Sequence, residues 1–332
     1  MAYDIHQLLE AMIENGASDL HLHVGRAPSL RVSGSVVSIE GTALAPEDTE
    51  ALVQSITPPE QLERLKRDGG CDFGFSFHKK ARFRVNVYRG KGVLGMVLRL
   101  IPAKMYTLEQ LRLPPMIKDL LRRPRGLILV TGPTGSGKST TLASMVNYIN
   151  ENRDGHIITI EDPIEYTFVD DKSVFQQREV GLDVPSFELA IRAVLRQNPD
   201  VILIGEMRDR ETFETAISAA ETGHLVLSTM HAATSAQALT RLLEFFPAEE
   251  QGQARRAIAG SLRGFICQKL VPNFEGTGRL PACEILVADA TVRQLILEGQ
   301  NERIQGLLDS GADSMSFSFN RDLYRLIKAA RI

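Results

Sequence analysis

At 332 residues and 36.7 kDa, the chain is about twice the size of a typical single domain, so two domains are expected. Its 43% apolar and 24% charged residues are globular proportions with ample core, which excludes intrinsic disorder. The net charge is −3, from 38 basic and 41 acidic residues, whereas a chain that neutralises a phosphate backbone carries a basic excess; nucleic acid is therefore disfavoured as the main partner.

In chain order, Ile5, Leu8, Leu9, Met12 and Ile13 recur at helical spacing over residues 4–15, closed by Asn15-Gly16. This opening carries acids and an amphipathic pattern rather than a basic start and an apolar block, so it does not read as a signal peptide. No apolar run approaches the ~18 residues of a membrane span. A cytosolic protein that reaches a membrane only through a partner is expected. Leu20, Leu22 and Val24 then alternate with Asp19, His21 and His23, and alternation returns at Phe73/Phe75/Phe77 and Phe83/Val85/Val87. The second of these strands turns Arg82, Arg84, Asn86 and Tyr88 to its other face. Helices are expected near 46–56 and 58–67. Residues 1–101 thus read as an α+β domain on an antiparallel sheet.

After Pro102 the rhythm changes. Pro114-Pro115 and Pro124 punctuate a connecting region, 102–125. Four compact runs follow, Leu127–Val130, Ile157–Ile160, Val201–Ile204 and Leu225–Leu227, separated by helical segments. Short apolar strands alternating with helices indicate a parallel sheet covered on both faces, here assigned to residues 126–332. From about 250 onward the expected periodicity is helical, with Ile258, Leu262, Phe265 and Ile266 on one face and only Asn273–Gly278 as an interrupting loop. The three cysteines, Cys71, Cys267 and Cys283, form no CxxC pair and suit neither a disulfide framework nor a zinc site; buried small hydrophobes are expected.

The segment Gly132-Pro133-Thr134-Gly135-Ser136-Gly137-Lys138-Ser139-Thr140 satisfies G-x-x-x-x-G-K-[ST], with the strand LILV before it and a helix after it. Glycines let backbone N–H groups turn inward around phosphate oxygens, and the helix N-terminus adds its positive end. Lys138 would reach the β- and γ-phosphates of ATP, and the Ser139 hydroxyl would ligate Mg2+. Glu206, at the tip of VILIGE, would hold the metal's water shell, or orient or deprotonate the attacking water. The turn Glu161-Asp162-Pro163-Ile164-Glu165 holds three further carboxylates at the same sheet edge, any of which could serve as base through position rather than basicity. His231 ends the strand Leu225–Met230 and could contact the γ-phosphate, while His224 lies at the strand's far end, where it could face a neighbouring subunit.

The segments GPTGSGKSTTLASM, HIITIEDPIEY, QREVGLD, LRQNPDVILIGEMRDRET and AETGHLVLSTMHA resemble the successive Walker A, Asp box, Walker B and His box motifs of type IV pilus retraction ATPases. The resemblance spans nearly the whole chain and includes an opening NGASDLHL similar to the start of the PilT-type N-terminal domain. RQNPDVILIGE and HAATSAQALTRLLEFFP are closer to the PilU branch than to PilT.

The resemblance implies a RecA-like α/β core preceded by a PAS-like α+β domain. It also implies a homohexamer that hydrolyses ATP with Mg2+ between its domains to power pilus disassembly and twitching motility. Glu206 would be the Walker B glutamate and Glu165 the favoured catalytic glutamate. His224 and His231 would be the His-box pair, and Arg84 and Arg99 the N-terminal arginines completing the site, with Arg82 as runner-up. The implied partners are an inner-membrane platform protein and a sister retraction ATPase. Pilus-assembly ATPases carry a longer N-terminal region and a four-cysteine module, which favours retraction over extension for this chain. The family's C-terminal signatures are altered here at residues 291–298 and 314–323. A secretion, conjugation or assembly motor, or an ATP-binding regulator of such a machine, is the alternative.

Overall fold

The computed structural model describes residues 3–32, 34–78, 80–101, 105–276, 278–311 and 315–332; the expected boundary at Pro102 and the signature residue Ser314 lie outside them. The chain divides into two compact units, one of residues 1–104 with 163–167, the other of 105–162 with 168–332.

The first unit runs α1 (Ile5–Glu14), β1 (Asp19–Leu22), β2 (Ser29–Val32), β3 (Ser35–Ser38), α2 (Pro46–Ile56), α3 (Pro59–Asp68), β4 (Gly70–Phe77), β5 (Ala81–Gly90) and β6 (Val93–Ile101). Helix α1 starts where the Asp4 carboxylate accepts the His6 and Gln7 amides at 2.8 and 3.1 Å. Its Ile5, Leu8, Leu9 and Met12 are buried, as their spacing requires. The strands form one antiparallel sheet in the order β3-β2-β1-β6-β5-β4. Leu20, Phe83, Val85 and Leu98 on one face pack with Leu9, Met12, Leu52 and Leu65 of the helices into a single core. The other face carries Asp19, His21, Arg31, Arg84, Asn86 and Arg99 beside Val36 and Val97, because the period-2 alternation sends every second side chain there.

The second unit runs α4 (Met116–Leu121), β7 (Gly126–Thr131), α5 (Lys138–Asn152), β8 (Gly155–Glu161), β9 (Ser173–Glu179), α6 (Phe187–Val194), β10 (Val201–Ile204), α7 (Arg210–Glu221), β11 (Leu225–Met230), α8 (Ser235–Glu244), α9 (Gln251–Ser261), β12 (Leu262–Pro272), β13 (Arg279–Val287), α10 (Ala290–Leu297), α11 (Asn301–Ser310) and α12 (Phe319–Lys328). Its sheet has the order β13-β12-β7-β11-β10-β8-β9, and only the β12–β13 pair is antiparallel. The class is α/β with a mainly parallel sheet, preceded by an antiparallel α+β unit. Each apolar run feeds two cores: Leu127, Leu129, Ile158, Ile202 and Val226 face one way, and Ile128, Val130, Ile157, Leu203 and Leu227 the other.

The helical reading beyond residue 250 is corrected. Helix α9 ends at Ser261, and residues 262–272 and 279–287 are strands extending the sheet. The loop expected at Asn273–Gly278 is the turn of that hairpin. Phe265 and Cys267 enter one core and Ile266 the other. A strand with apolar neighbours on both faces shows no polar alternation, and a short apolar run of that kind mimics a buried helix. All three cysteines are buried, and burial pushes the Cys267 thiol up to about 12.

Candidate nucleotide site

Four parallel strands end at one rim of the sheet. β7 runs into Gly132, β8 ends at Glu161, β10 leads through Gly205 to Glu206, and β11 leads to His231. The C-terminal edge of such a sheet is where open α/β folds bind ligands. Between β7 and α5 the P-loop begins at Gly132 with φ +153°, where a Cβ would stand 2.4 Å from the Gln268 carbonyl oxygen and 2.6 Å from Ser136 Oγ. Only glycine fits there. The Lys138 ammonium donates to the Gly132 and Pro133 carbonyls at 2.9 and 3.0 Å, folding the lysine over the loop. The first amides of α5 have no acceptor within the helix, as at any helix start.

The loop fits a phosphate chain on its own observations. It holds a glycine cradle that a Cβ would fill, a helix N-terminus, a lysine over the loop, and a buried Ser136 hydroxyl with no hydrogen-bond partner among the described residues. Ser139 and Thr140 stand in the first turn of α5. Among the described residues no group of three His, Cys, Asp or Glu side chains could hold a metal ion. Divalent-cation binding would therefore draw on the Ser139 hydroxyl, Glu206, water and phosphate oxygens, a donor set that suits Mg2+.

Glu206 is half-buried. One carboxylate oxygen pairs with the Arg208 guanidinium and the other lies 3.7 Å from His231 Nε2. Arg208 also stands 4.0 Å from Asp162, so it bridges the acids at the ends of β8 and β10. Burial is the largest cause holding His231 below its ordinary value; the charges of Lys138, Arg208 and Arg241 act in the same direction. The imidazole is therefore neutral at neutral pH. Arg241 donates to the His231 backbone carbonyl and fixes the start of the following loop.

Glu161 is buried and accepts from Thr159 Oγ1 at 2.7 Å and Gln177 Nε2 at 3.2 Å. Its side chain is anchored to its own strand and to β9. Glu165 falls in residues 163–167, which group with the first unit, so Glu161 and Asp162 part from it within one turn. His224 stands at the opposite rim, with Nδ1 2.9 Å from the Ala219 carbonyl. The six residues of β11 separate it from His231, about 20 Å along the strand.

In the first unit, Arg84 of β5 and Arg99 of β6 are direct cross-strand partners, and Arg99 is in turn opposite Asp19 of β1. Arg99 Nε donates to Asp19 Oδ1 at 2.8 Å, Arg31 Nε lies 3.6 Å from Oδ2, and Arg84 Nε lies 4.0 Å from Asp72. Burial pushes the Asp19 carboxyl up, but the Arg99 and Ser18 hydrogen bonds outweigh it, and the group sits below its ordinary value. Arg82 donates to Ser76 Oγ at 2.9 Å.

Two groups at the site escaped the sequence reading. Arg208 sits two residues beyond Glu206, where its charge opposite an acid gave a signal that pairing could have used. Gln268 lies on β12, a strand read as helix, and its amide donates to the Ser136 carbonyl at 2.7 Å while accepting from Thr141 Oγ1 at 2.7 Å.

A family model for the type II/IV secretion system protein matches residues 1–307. The chain is 41% identical over 329 residues to the type IV pilus ATPase PilU of Pseudomonas aeruginosa, covering 99% of this chain and 86% of that protein. It is 42% identical over 308 residues to the retraction ATPase PilT of the same organism, covering 93% and 89% respectively. The crystal structure of the pilus retraction motor PilT with bound ADP matches with a TM-score of 0.91 at 43% identity, covering 99% of this chain and 94% of that one. The chain belongs to the type II/IV secretion system protein family and, within it, to the PilT/PilU group of type IV pilus ATPases.

Proposed function

We propose that this protein is a Mg2+-dependent ATPase that works as a homohexameric motor and powers type IV pilus retraction. Three features converge on one rim and carry the reading: a lysine folded over a glycine-lined loop, a half-buried Glu206, and a neutral His231 beside it. Membership of the PilT/PilU group supports the pilus as the load. Identity to the two branches is nearly equal, at 41% and 42%, so the sequence sits as far from PilU as from PilT.

In this reading the residues of 132–140 bind the phosphates, with Lys138 opposite the β- and γ-phosphates. Mg2+, held by Ser139 and through water by Glu206, would supply positive charge against the phosphate oxygens. Glu206 orients the attacking water, and Glu165 accepts its proton. Burial and two hydrogen bonds leave Glu161 the positioning of the β8 end instead. His231 donates a neutral hydrogen bond toward the γ-phosphate. His224, at the far rim, serves a neighbouring subunit. Arg84 and Arg99 contribute guanidinium charge from residues 1–101, the proposed N-terminal domain, joined through 102–125 to an ATPase domain of 126–332. Most of the catalysis is electrostatic and positional, with no covalent intermediate.

Among the described residues no helix is long and apolar enough to cross a membrane. We place the motor in the cytoplasm, held to the inner membrane through a platform protein and working beside a sister retraction ATPase. Deleting the gene tests the assignment. Loss of retraction, restored by the parent gene and not by a Lys138→Ala copy, is the expected result; undiminished retraction would refute it.

A further inference from the structure

Gln268 is 2% exposed, and it touches the P-loop at two points and helix α5 at a third. Its Nε2 donates to the Ser136 carbonyl, its Oε1 accepts from Thr141 Oγ1, and its backbone oxygen crowds the position a Cβ would take at Gly132. A Cβ at Gly137 would stand 2.9 Å from Gln268 Nε2, so the glycine at φ +86° leaves the room that amide occupies. Two motif glycines thus make space for one residue of β12, Gly132 for its backbone carbonyl and Gly137 for its side-chain amide.

The consequence follows from peptide geometry. In a planar trans peptide the carbonyl oxygen of residue 136 and the N–H of residue 137 point in opposite directions. Pulling the Ser136 carbonyl outward toward Gln268 therefore turns the Gly137 N–H inward, to the concave side of the loop. The second bond, to Thr141 in the first turns of α5, fixes the amide's rotation, so that donor and acceptor cannot exchange places. Because the Ser136 carbonyl and the Thr141 hydroxyl are both buried, losing the amide leaves buried polar groups unpaired.

We infer that Gln268 is a positioning residue that aims the Gly137 amide at the bound phosphate, so that phosphate affinity depends on a side chain from outside the P-loop. The inference rests on the nucleotide reading of the loop.

The test compares the full-length parent with three variants, Gln268→Met, Gln268→Glu and Thr141→Val, using Mg-ADP as ligand. Affinity is measured by calorimetry. The rise in melting temperature on adding Mg-ADP gives a readout normalised to each variant's own baseline. Gln268→Met removes both bonds without adding charge and is the deciding variant; Gln268→Glu keeps the acceptor for Thr141 but replaces the donor to Ser136 with a negative charge. Both are expected to weaken ADP binding roughly tenfold or more, since a misdirected amide forfeits a charge-assisted bond. Thr141→Val keeps that donor and is expected to lose less than about threefold. Variants of residue 268 that bind within twofold of the parent would overturn the inference, as would an equal loss in Thr141→Val, which would make the effect one of general stability. A parent that binds no Mg-ADP would overturn the nucleotide reading itself, and this inference with it.

Discussion

The two sheets handle polar side chains in opposite ways. In the antiparallel sheet one face carries most of the polar side chains, with Arg31, Asp19, Arg99 and Arg84 standing in one row across four strands. In the parallel sheet both faces are covered, β7 and β11 are buried along their whole length, and polar chemistry is pushed to the strand ends. The first arrangement spreads charge along the sheet, with Asp19 between Arg31 and Arg99 and with Arg84 4.0 Å from Asp72. The second concentrates a lysine, three carboxylates, an arginine and a histidine at one rim. A substitution at the rim should therefore cost activity and spare the fold, while one at Asp19, the buried acid of the charged row, should cost stability.

Three substitutions and one titration test that contrast. The largest effect is expected from Lys138→Ala: ATP turnover falls by about a thousandfold or more, with an unchanged circular dichroism spectrum. Steady-state phosphate release measures it. Glu206→Gln should reduce turnover by about a hundredfold while leaving nucleotide affinity within a few-fold, which single-turnover kinetics beside equilibrium binding would show.

Asp19→Asn in the charged row is expected to destabilise the first unit by about 1 kcal/mol, a modest figure because Arg99 is well exposed. Since Asp19 sits below its ordinary value when folded, its contribution is present at neutral pH and fades as pH falls through the carboxylate range. The gap between parent and variant in denaturant melts should therefore be narrower at pH 3 than at pH 7. The smallest effect is the titration of His231, whose imidazole signal should have its midpoint below 6.5. Because folding depresses this value, the neutral form's contribution is complete above that range and is lost on acidification. A midpoint above 6.5 in the folded chain would show Glu206 outweighing burial and the three cationic neighbours.

Where a face meets water, sequence pattern identified the structure. α1, α2, α3 and the strands carrying Leu20, Phe73, Phe83 and Val85 follow their periodicity because one side is solvated. The P-loop was legible because its glycines are dictated by local geometry, and Glu206 and His231 because each directly follows an apolar strand. β12 and β13 were not, since apolar cores on both sides erase alternation. β9 escaped as a polar strand at the sheet edge, and β3 as four exposed residues. Gln268 escaped with its strand: its partners lie 132 and 127 residues away, and only the fold brings them together.

Calorimetric titration of the full-length protein with Mg-ADP, beside its Lys138→Ala variant, tests the nucleotide site most directly. Saturable binding in the parent, at up to one nucleotide per chain, with strongly weakened binding in the variant, is the predicted result. No heat of binding in the parent, or equal affinity in the two, would contradict it.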